Sequence, residues 1–507
     1  MAESRTVKSR RNVVTGLLQY AVTILLAWVG RIIFVRVLSA DYLGVNGLFS
    51  NVISVLSIAD LGIPAAMTYS LYKPLAEGDK TKIAPLINFF RKVYVAISFA
   101  VLFIGLSLIP ILPFIVKLDS PIPNLTQYYV LTLINTVVSY LFIYRTTLLT
   151  ADQKSYVLQK YVIIFKFITF IAQTVVLVLF REYLFYLIIG VLTSVIGNIV
   201  QNRAVINEYP YLNSKALPLE ADEKNSIRKN VYDLFLYRIS GTIQTNTDSI
   251  LISLFCGTVF VGYYSNYQLL ILTVTTVITV VFSNVKSSLG NLIASDDSSL
   301  EHKQDVYWTM ESVNFWITAF CSICFICLFQ SFIEISFSKE YLLPLGTVIV
   351  IVINFYTGNI RQPIWAFRET TGLFHETRFI TMVTAILNIV FSVVMGYIWG
   401  MFGVLSATVI ARMLYSWWKE PMILFNGYFG CSAGKYYRTY ILRFLLFTAV
   451  CALTYVLCSF INLGNIYTEF ILKMSVCIII PNAVFFPIFT KDSRIKELLK
   501  RLLTRVK

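Results

Sequence analysis

Long apolar runs, separated by short polar stretches, dominate this chain. A helix on the surface of a soluble protein carries one apolar stripe, whereas these runs are apolar all round. Most reach the roughly 20 residues that a helix needs to cross about 30 Å of hydrocarbon. The pattern predicts fourteen such helices, near 13–35, 44–70, 86–114, 126–149, 157–180, 183–204, 233–256, 263–285, 307–330, 342–366, 378–399, 402–426, 440–461 and 467–489. The predicted fold class is an all-α polytopic membrane protein. Its organisation reads as a cytoplasmic N-terminus at 1–12, a six-helix lobe at 13–206, a cytoplasmic linker at 207–232, a second six-helix lobe at 233–426, two further helices within 440–489 and a basic tail at 491–507.

Composition supports this reading. Of 507 residues, 57% are hydrophobic and only 14% are charged, too few to cover the surface of a soluble protein of this size. The apolar stretch behind Arg5, Lys8, Arg10 and Arg11 is too long for a signal-peptide core and lacks a small-residue cleavage pattern. It therefore reads as a retained first span. Net charge is +15. With both termini inside, 35 of the 42 Lys and Arg residues fall on the inner side, as membrane orientation requires. The basic excess is thus an orientation signal and does not point to nucleic acid. In the tail, Ile495, Leu498, Leu499, Leu502, Leu503 and Val506 share one helical face, with Arg494, Lys496, Lys500, Arg501 and Arg505 on the rest. Such a helix is expected to lie on anionic lipid.

Gly-led turns open the second, eighth and twelfth helices, as LGVNGLFSN (43–51), VGYYSNYQL (261–269) and FGVLSATVI (402–410). Their six-helix period suggests two related lobes, a recurring transporter plan.

Ionisable residues at membrane depth are costly and usually face a cavity or a partner. Ser50, Ser54, Ser57 and Asp60 lie on one stripe of helix 2, followed by the breakers Gly62 and Pro64. Arg31 lies in helix 1, Arg145 at the end of helix 4 and Lys166 in helix 5. Helix 7 carries Arg238, Thr242, Thr245 and Ser249, with Gln244 and Asp248 beside them. Helix 10 carries Asn354, Gly358, Arg361 and Trp365 on one stripe, with Arg368 a turn further in and Pro363 between. One reading is a basic vestibule open to the inside, suited to an anionic headgroup because Arg grips phosphate through paired hydrogen bonds. The plainer reading pairs Asp60 or Asp248 with Arg31, and lets the other arginines snorkel to the inner interface.

Other chemistry finds little support. His302 and His375 are isolated in loops, and no catalytic carboxylate pair or phosphate-binding Gly-Lys-Ser/Thr loop occurs. This argues against an integral-membrane polymerase or transferase. Cys321, Cys324 and Cys327 share one helix face, where they read as packing residues because no His or carboxylate joins them.

The run RIIFVRVLSADYLGVNGLFSNVISVLSIADLGIPAA (31–66) resembles the opening of polysaccharide flippases of the Wzx type, in the multidrug/oligosaccharidyl-lipid/polysaccharide (MOP) exporter superfamily. TDSILISLFCGTVFVGYYSNYQLL (247–270), SSLGNL (287–292) and NIVFSVVMGYIWGMFGVLSATVIARM (388–413) resemble it too. The resemblance implies a MATE-like fold and alternating access in a bacterial plasma membrane. The implied cargo is an undecaprenyl-pyrophosphate-linked oligosaccharide, moved from the inner to the outer leaflet for capsule, O-antigen or exopolysaccharide synthesis. It implies no cofactor, coupling to a proton or sodium gradient, a monomer, and work alongside a polysaccharide polymerase and chain-length regulator. Carried over by position, Arg31, Arg145, Lys166, Arg238, Gln244, Asn354, Arg361 and Arg368 would bind substrate, and Asp60 and Asp248 would couple ions or gate. Lipid II export and multidrug export by the same superfamily are the rival transport readings.

Overall fold

A computed structural model describes residues 5–57, 63–118, 122–213, 219, 246–294, 299–491, 494 and 496. Among them there is helix and no strand. Ten helices are long and apolar enough to cross a membrane. One of these, Phe379–Tyr428, holds the eleventh and twelfth expected spans folded back on each other. The tenth span is interrupted, the second is described on either side of 58–62, and the seventh is described only over 246–256. These account for the fourteen expected spans of a multi-pass membrane protein.

Two compact units divide the chain, Met1–Gly262 and Tyr263–Lys507. The first contains α1 (Arg5–Val37), α2 (Ala40–Leu56), α3 (Ile63–Glu77), α4 (Lys80–Ser107), α5 (Leu125–Ala151), α6 (Ser155–Phe180), α7 (Tyr183–Glu208) and α8 (246–256). α5 packs on α4 and α7, and α6 on α1 and α7. α2 and α3 lie either side of 58–62, where Gly62 and the nearby Pro64 were expected to break the helix. Along α2 the Ser50, Ser54 and Ser57 hydroxyls donate to the carbonyl oxygens of Asn46, Ser50 and Ile53, so that polar stripe is satisfied by its own backbone. Asp79 caps α4 by accepting from the Thr81 and Lys82 amides, and the Thr81 hydroxyl holds its carboxyl below its ordinary pKa.

The unit boundary falls in the first turn of α9 (Thr258–Ala294), not in the 207–232 stretch that was expected to separate the lobes. Hydrogen bonds explain the difference. Lys117, just beyond α4, donates its amide to Thr258 Oγ1 at 2.9 Å and its ammonium to Leu254 O at 2.6 Å. The Thr258 amide returns to Lys117 O at 2.8 Å. Glycine completes the junction. A Cβ on Gly44 would lie 2.1 Å from Thr258 O, and one on Gly262 would lie 2.8 Å from Gly44 N. The first two of the three similar Gly-led turns thus pack against each other, with only small residues permitting the approach.

The second unit contains the rest of α9 with α10 (Leu300–Ser336), α11 (Leu345–Asn359), α12 (Gln362–Thr371), α13 (Phe374–Ala411), α14 (Trp417–Met422), α15 (Gly434–Ser459) and α16 (Ile466–Phe489). α10 is central and packs on α11, α12, α15 and α16. Pro363 opens α12, so the tenth span is two helices and not one. The Asn314 amide group bridges that break, donating 3.0 Å bonds to Asn359 O and Ile360 O. α13 reverses at Gly400, whose φ of 56° and ψ of −136° suit glycine alone. Cross-hairpin bonds follow from Asn388 to Thr408 at 2.8 Å and between Thr384 and Ser416 at 2.5 Å. π-turns at Arg412–Ser416 and Ile423–Tyr428 flank α14.

Candidate functional site

In the second unit, Arg361 and Arg368 converge on a residue that the sequence reading passed over, Glu420. The Arg361 guanidinium donates to Glu420 Oε1 at 2.6 Å and to Oε2 at 3.1 Å, a forked ion pair. Arg368 Nη1 lies 3.6 Å from Oε1, and the Trp365 indole donates to Oε2 at 3.3 Å. The Arg361 guanidinium sits 5.0 Å above the Trp365 ring. All three charged residues are buried, with Glu420 only 2% exposed. An isolated charge here would be expensive, so the cluster holds because the charges oppose each other and the carboxylate oxygens are bonded. Two cations share one anion, which leaves the group electropositive.

Asn354 does not join them. The break before α12 turns the Asn354 stripe away from Arg361. Asn354 instead donates to Leu405 O at 2.8 Å, and Arg412 Nη1 donates to Asn354 O at 3.0 Å. Arg412 lies within the apolar helical run Phe379–Tyr428, at the first π-turn and inside the expected span 402–426. A further buried pair links α10 and α15. Arg443 binds Glu311, donates to Ser312 Oγ at 2.7 Å, and lies between the Phe315 and Phe489 rings. Arg443 lies near the start of the expected span 440–461.

The first unit places its cations differently. Arg145 Nη1 donates to the Asn202 side-chain oxygen at 3.1 Å, and its guanidinium lies 5.5 Å from the Tyr144 ring centre. Its Nε is buried without a hydrogen-bond partner. No carboxylate pairs with Arg145 among the described residues. Lys166 is exposed. It lies on a polar stripe of α6 with Ser155, Gln159 and Gln173, opposite the exposed apolar face of Ile164, Phe167, Ile171 and Val175. Gln159 is bonded to Thr15, and Gln173 donates to Tyr186 O at 3.0 Å, so the stripe faces α1 and α7. Arg31 is partly buried and acts electrostatically on Tyr186. Asp248 is buried, at 6% exposure. Asp60, Arg238 and Gln244 lie outside the described residues.

Where the ends of α5, α6 and α7 meet, the charges are paired. The Lys154 ammonium lies 3.0 Å from Asp152 and 2.7 Å from Glu208. The Tyr209 hydroxyl donates to Asp152 at 2.5 Å. Burial works against the Lys154 charge, yet the hydrogen bonds to Glu208 and Asp152 outweigh it and hold the lysine above its ordinary pKa.

The missed residues shared one weak signal. Arg412, Glu420, Arg443 and Glu311 are single charges near the ends of apolar runs, where a snorkelling side chain and a buried ion pair look alike. The cysteines also regroup. Cys327 meets Cys458 and Cys477 from two later helices, an association that one-helix spacing could not reveal.

No protein-family model matches the sequence, and no curated protein does either. Solved structures do match the fold. A lipid II flippase MurJ in an inward closed conformation aligns with a TM-score of 0.68 at 14% identity, covering 95% of this chain and 98% of that one. An inward-facing multidrug resistance MATE family transporter of the MOP superfamily aligns with a TM-score of 0.61 at 12% identity, covering 78% and 91%. A MOP superfamily transporter from Pyrococcus furiosus, described as having a binding pocket of reverse polarity, aligns at 0.54 with 10% identity, covering 80% and 92%. The chain therefore has the fold of MOP-superfamily transporters, MATE-like in plan.

Proposed function

We propose that this chain is a flippase that moves undecaprenyl-pyrophosphate-linked oligosaccharide repeat units from the inner to the outer leaflet by alternating access, serving capsule, O-antigen or exopolysaccharide synthesis. The observation that carries the reading is Arg145, a membrane-depth guanidinium with a buried Nε left without a partner and no carboxylate beside it. A pyrophosphate presents the paired acceptor oxygens that such a group lacks. Lys166 adds a second cation on a polar stripe of the same unit. The electropositive Arg361–Arg368–Glu420 group supplies positive field in the other. The polyprenyl tail stays in lipid while only the headgroup needs a polar path, because charge at the bilayer centre costs several kcal/mol.

In this reading the protein resides in the bacterial plasma membrane with both termini cytoplasmic and acts as a monomer. The basic tail rests on anionic lipid, and a polymerase and chain-length regulator receive the product. It carries no cofactor. A proton or sodium gradient acts through Asp60 or Asp248, by favouring one of the two access states. Lipid II export is the second reading, favoured by the breadth of the structural match to the lipid II flippase.

Reconstituted protein in vesicles separates the readings. Undecaprenyl-pyrophosphate oligosaccharide, lipid II and a cationic dye are offered in turn, and inner-to-outer transfer is measured for each. Transfer of the oligosaccharide well above the other two is expected. Preference for lipid II favours the second reading, and preference for the dye defeats both.

A further inference from the structure

Cys327 of α10, Cys458 of α15 and Cys477 of α16 bring their sulfur atoms within 4.8 Å of one another. Cys458 Sγ and Cys477 Sγ are 4.0 Å apart. A metal bound to sulfur at about 2.3 Å, at the centre of a trigonal plane, would hold three sulfurs roughly 4.0 Å apart. The observed spacing therefore suits a shared ion with no movement of the helices. All three residues are buried, Cys458 at 3% exposure and Cys477 at 0%.

We infer that these cysteines form a three-sulfur site for a thiophilic divalent cation of the zinc–cadmium class, distinct from the cations assigned to transport. The donor set is soft throughout, with no His or carboxylate in the group, and soft thiolates select such ions over magnesium or calcium. Binding proceeds by three thiols each losing a proton to solvent while three metal–sulfur bonds form, so the complex carries one negative charge. Lys473 offsets it. Its carbonyl oxygen lies 3.9 Å from Cys458 Sγ, its ammonium acts electrostatically on the same thiol, and Glu469 tethers that ammonium at 3.4 Å. Access is short, because Cys458 is the penultimate residue of α15 and Phe460 in the following turn is 80% exposed. An ion held there would tie α10 to the α15–α16 hairpin.

The test uses the purified full chain in lipid nanodiscs, with Cd²⁺ alone as the probe. Expected are one Cd²⁺ per chain, a cadmium–thiolate absorption band, a raised unfolding midpoint, and three sulfur neighbours by X-ray absorption at the cadmium edge. Substitution Cys477→Ala is expected to weaken binding at least tenfold, while Cys431→Ala at an exposed site leaves it unchanged. The spectroscopic arm needs no mutation, so a variant that fails to fold does not decide the matter. An unmutated chain with no thiolate band, or with oxygen and nitrogen neighbours around cadmium, overturns the site.

Discussion

The two units bury charge in opposite ways. In the second, three arginines meet carboxylates, Arg361 and Arg368 on Glu420 and Arg443 on Glu311, while Arg412 donates to Asn354 and Thr357. In the first, Arg145 has an amide and a ring for neighbours, and Lys166 is exposed on a polar stripe. There the described carboxylate pairs lie at helix ends, around Asp79 and Lys154, and near Lys73. A buried ion pair fixes architecture, since breaking it strands a charge. A partly buried cation such as Arg145, whose Nε is buried without a hydrogen bond, holds its place through weaker contacts and keeps capacity for an anion from outside. The difference teaches that sign and depth alone do not identify a binding residue; the partner does.

The comparison breaks most readily at Glu311. Glu311→Ala is expected to destabilise the second unit by about 3–5 kcal/mol, because the largely buried Arg443 beside Phe315 and Phe489 loses its carboxylate. The double variant Glu311→Leu with Arg443→Met should recover most of that loss, since apolar replacement of a buried pair is often neutral. Thermal unfolding of the parent and both variants checks both statements. If the single and double variants unfold alike, the pair does not fix the architecture.

Gly44 tests the junction of the first unit. Gly44→Ala places a Cβ against Thr258 O and should cost about 1–3 kcal/mol through overpacking. Equal unfolding midpoints for variant and parent would show that the contact is loose.

For Arg145 the expectation reverses. Arg145→Ala should cost transport about tenfold or more, the order expected when a charged hydrogen bond to the substrate is lost, while moving the unfolding midpoint little. Arg145→Lys should recover only part of the rate, since an ammonium lacks the planar fork. Initial transfer rates in vesicles and calorimetry on the same preparations separate the two effects.

The smallest effect is at the helix ends that hold Asp79 and Lys154. Lys154 has a raised folded-state pKa, so its contribution is fully present below the ordinary lysine pKa of 10.5 and is lost as pH rises through the folded value. Asp79 is depressed, so its contribution is present above the ordinary aspartate value of 3.8 and is lost as pH falls through the folded one. Unfolding midpoints from acid to strongly alkaline pH should show both losses in the parent chain. Lys154→Met should remove the alkaline one, and its persistence would contradict the assignment.

Much of the fold was legible because span length and apolarity are set by the bilayer and need no partner to be read. The reversal at Gly400 falls in the expected gap between the spans 378–399 and 402–426. The candidate site was legible only as a set of residue types. Arg361 and Arg368 could be seen in the sequence, but Glu420 lies more than fifty residues on, and a lone charge near a span end gives no sign of its partner. Asn354 was misplaced because a continuous helix was assumed across a break that reorients its stripe. Cys327 was read against its own helix when its neighbours come from two others.

The central claim is that Arg145 receives the anionic headgroup. The most direct measurement is the initial rate of inner-to-outer transfer of undecaprenyl-pyrophosphate oligosaccharide by Arg145→Ala in vesicles, at matched protein loading and with the unfolding midpoint recorded. The account predicts a rate at least about tenfold below the parent with an unfolding midpoint close to the parent's. An unchanged rate, or a loss that follows unfolding alone, would contradict it.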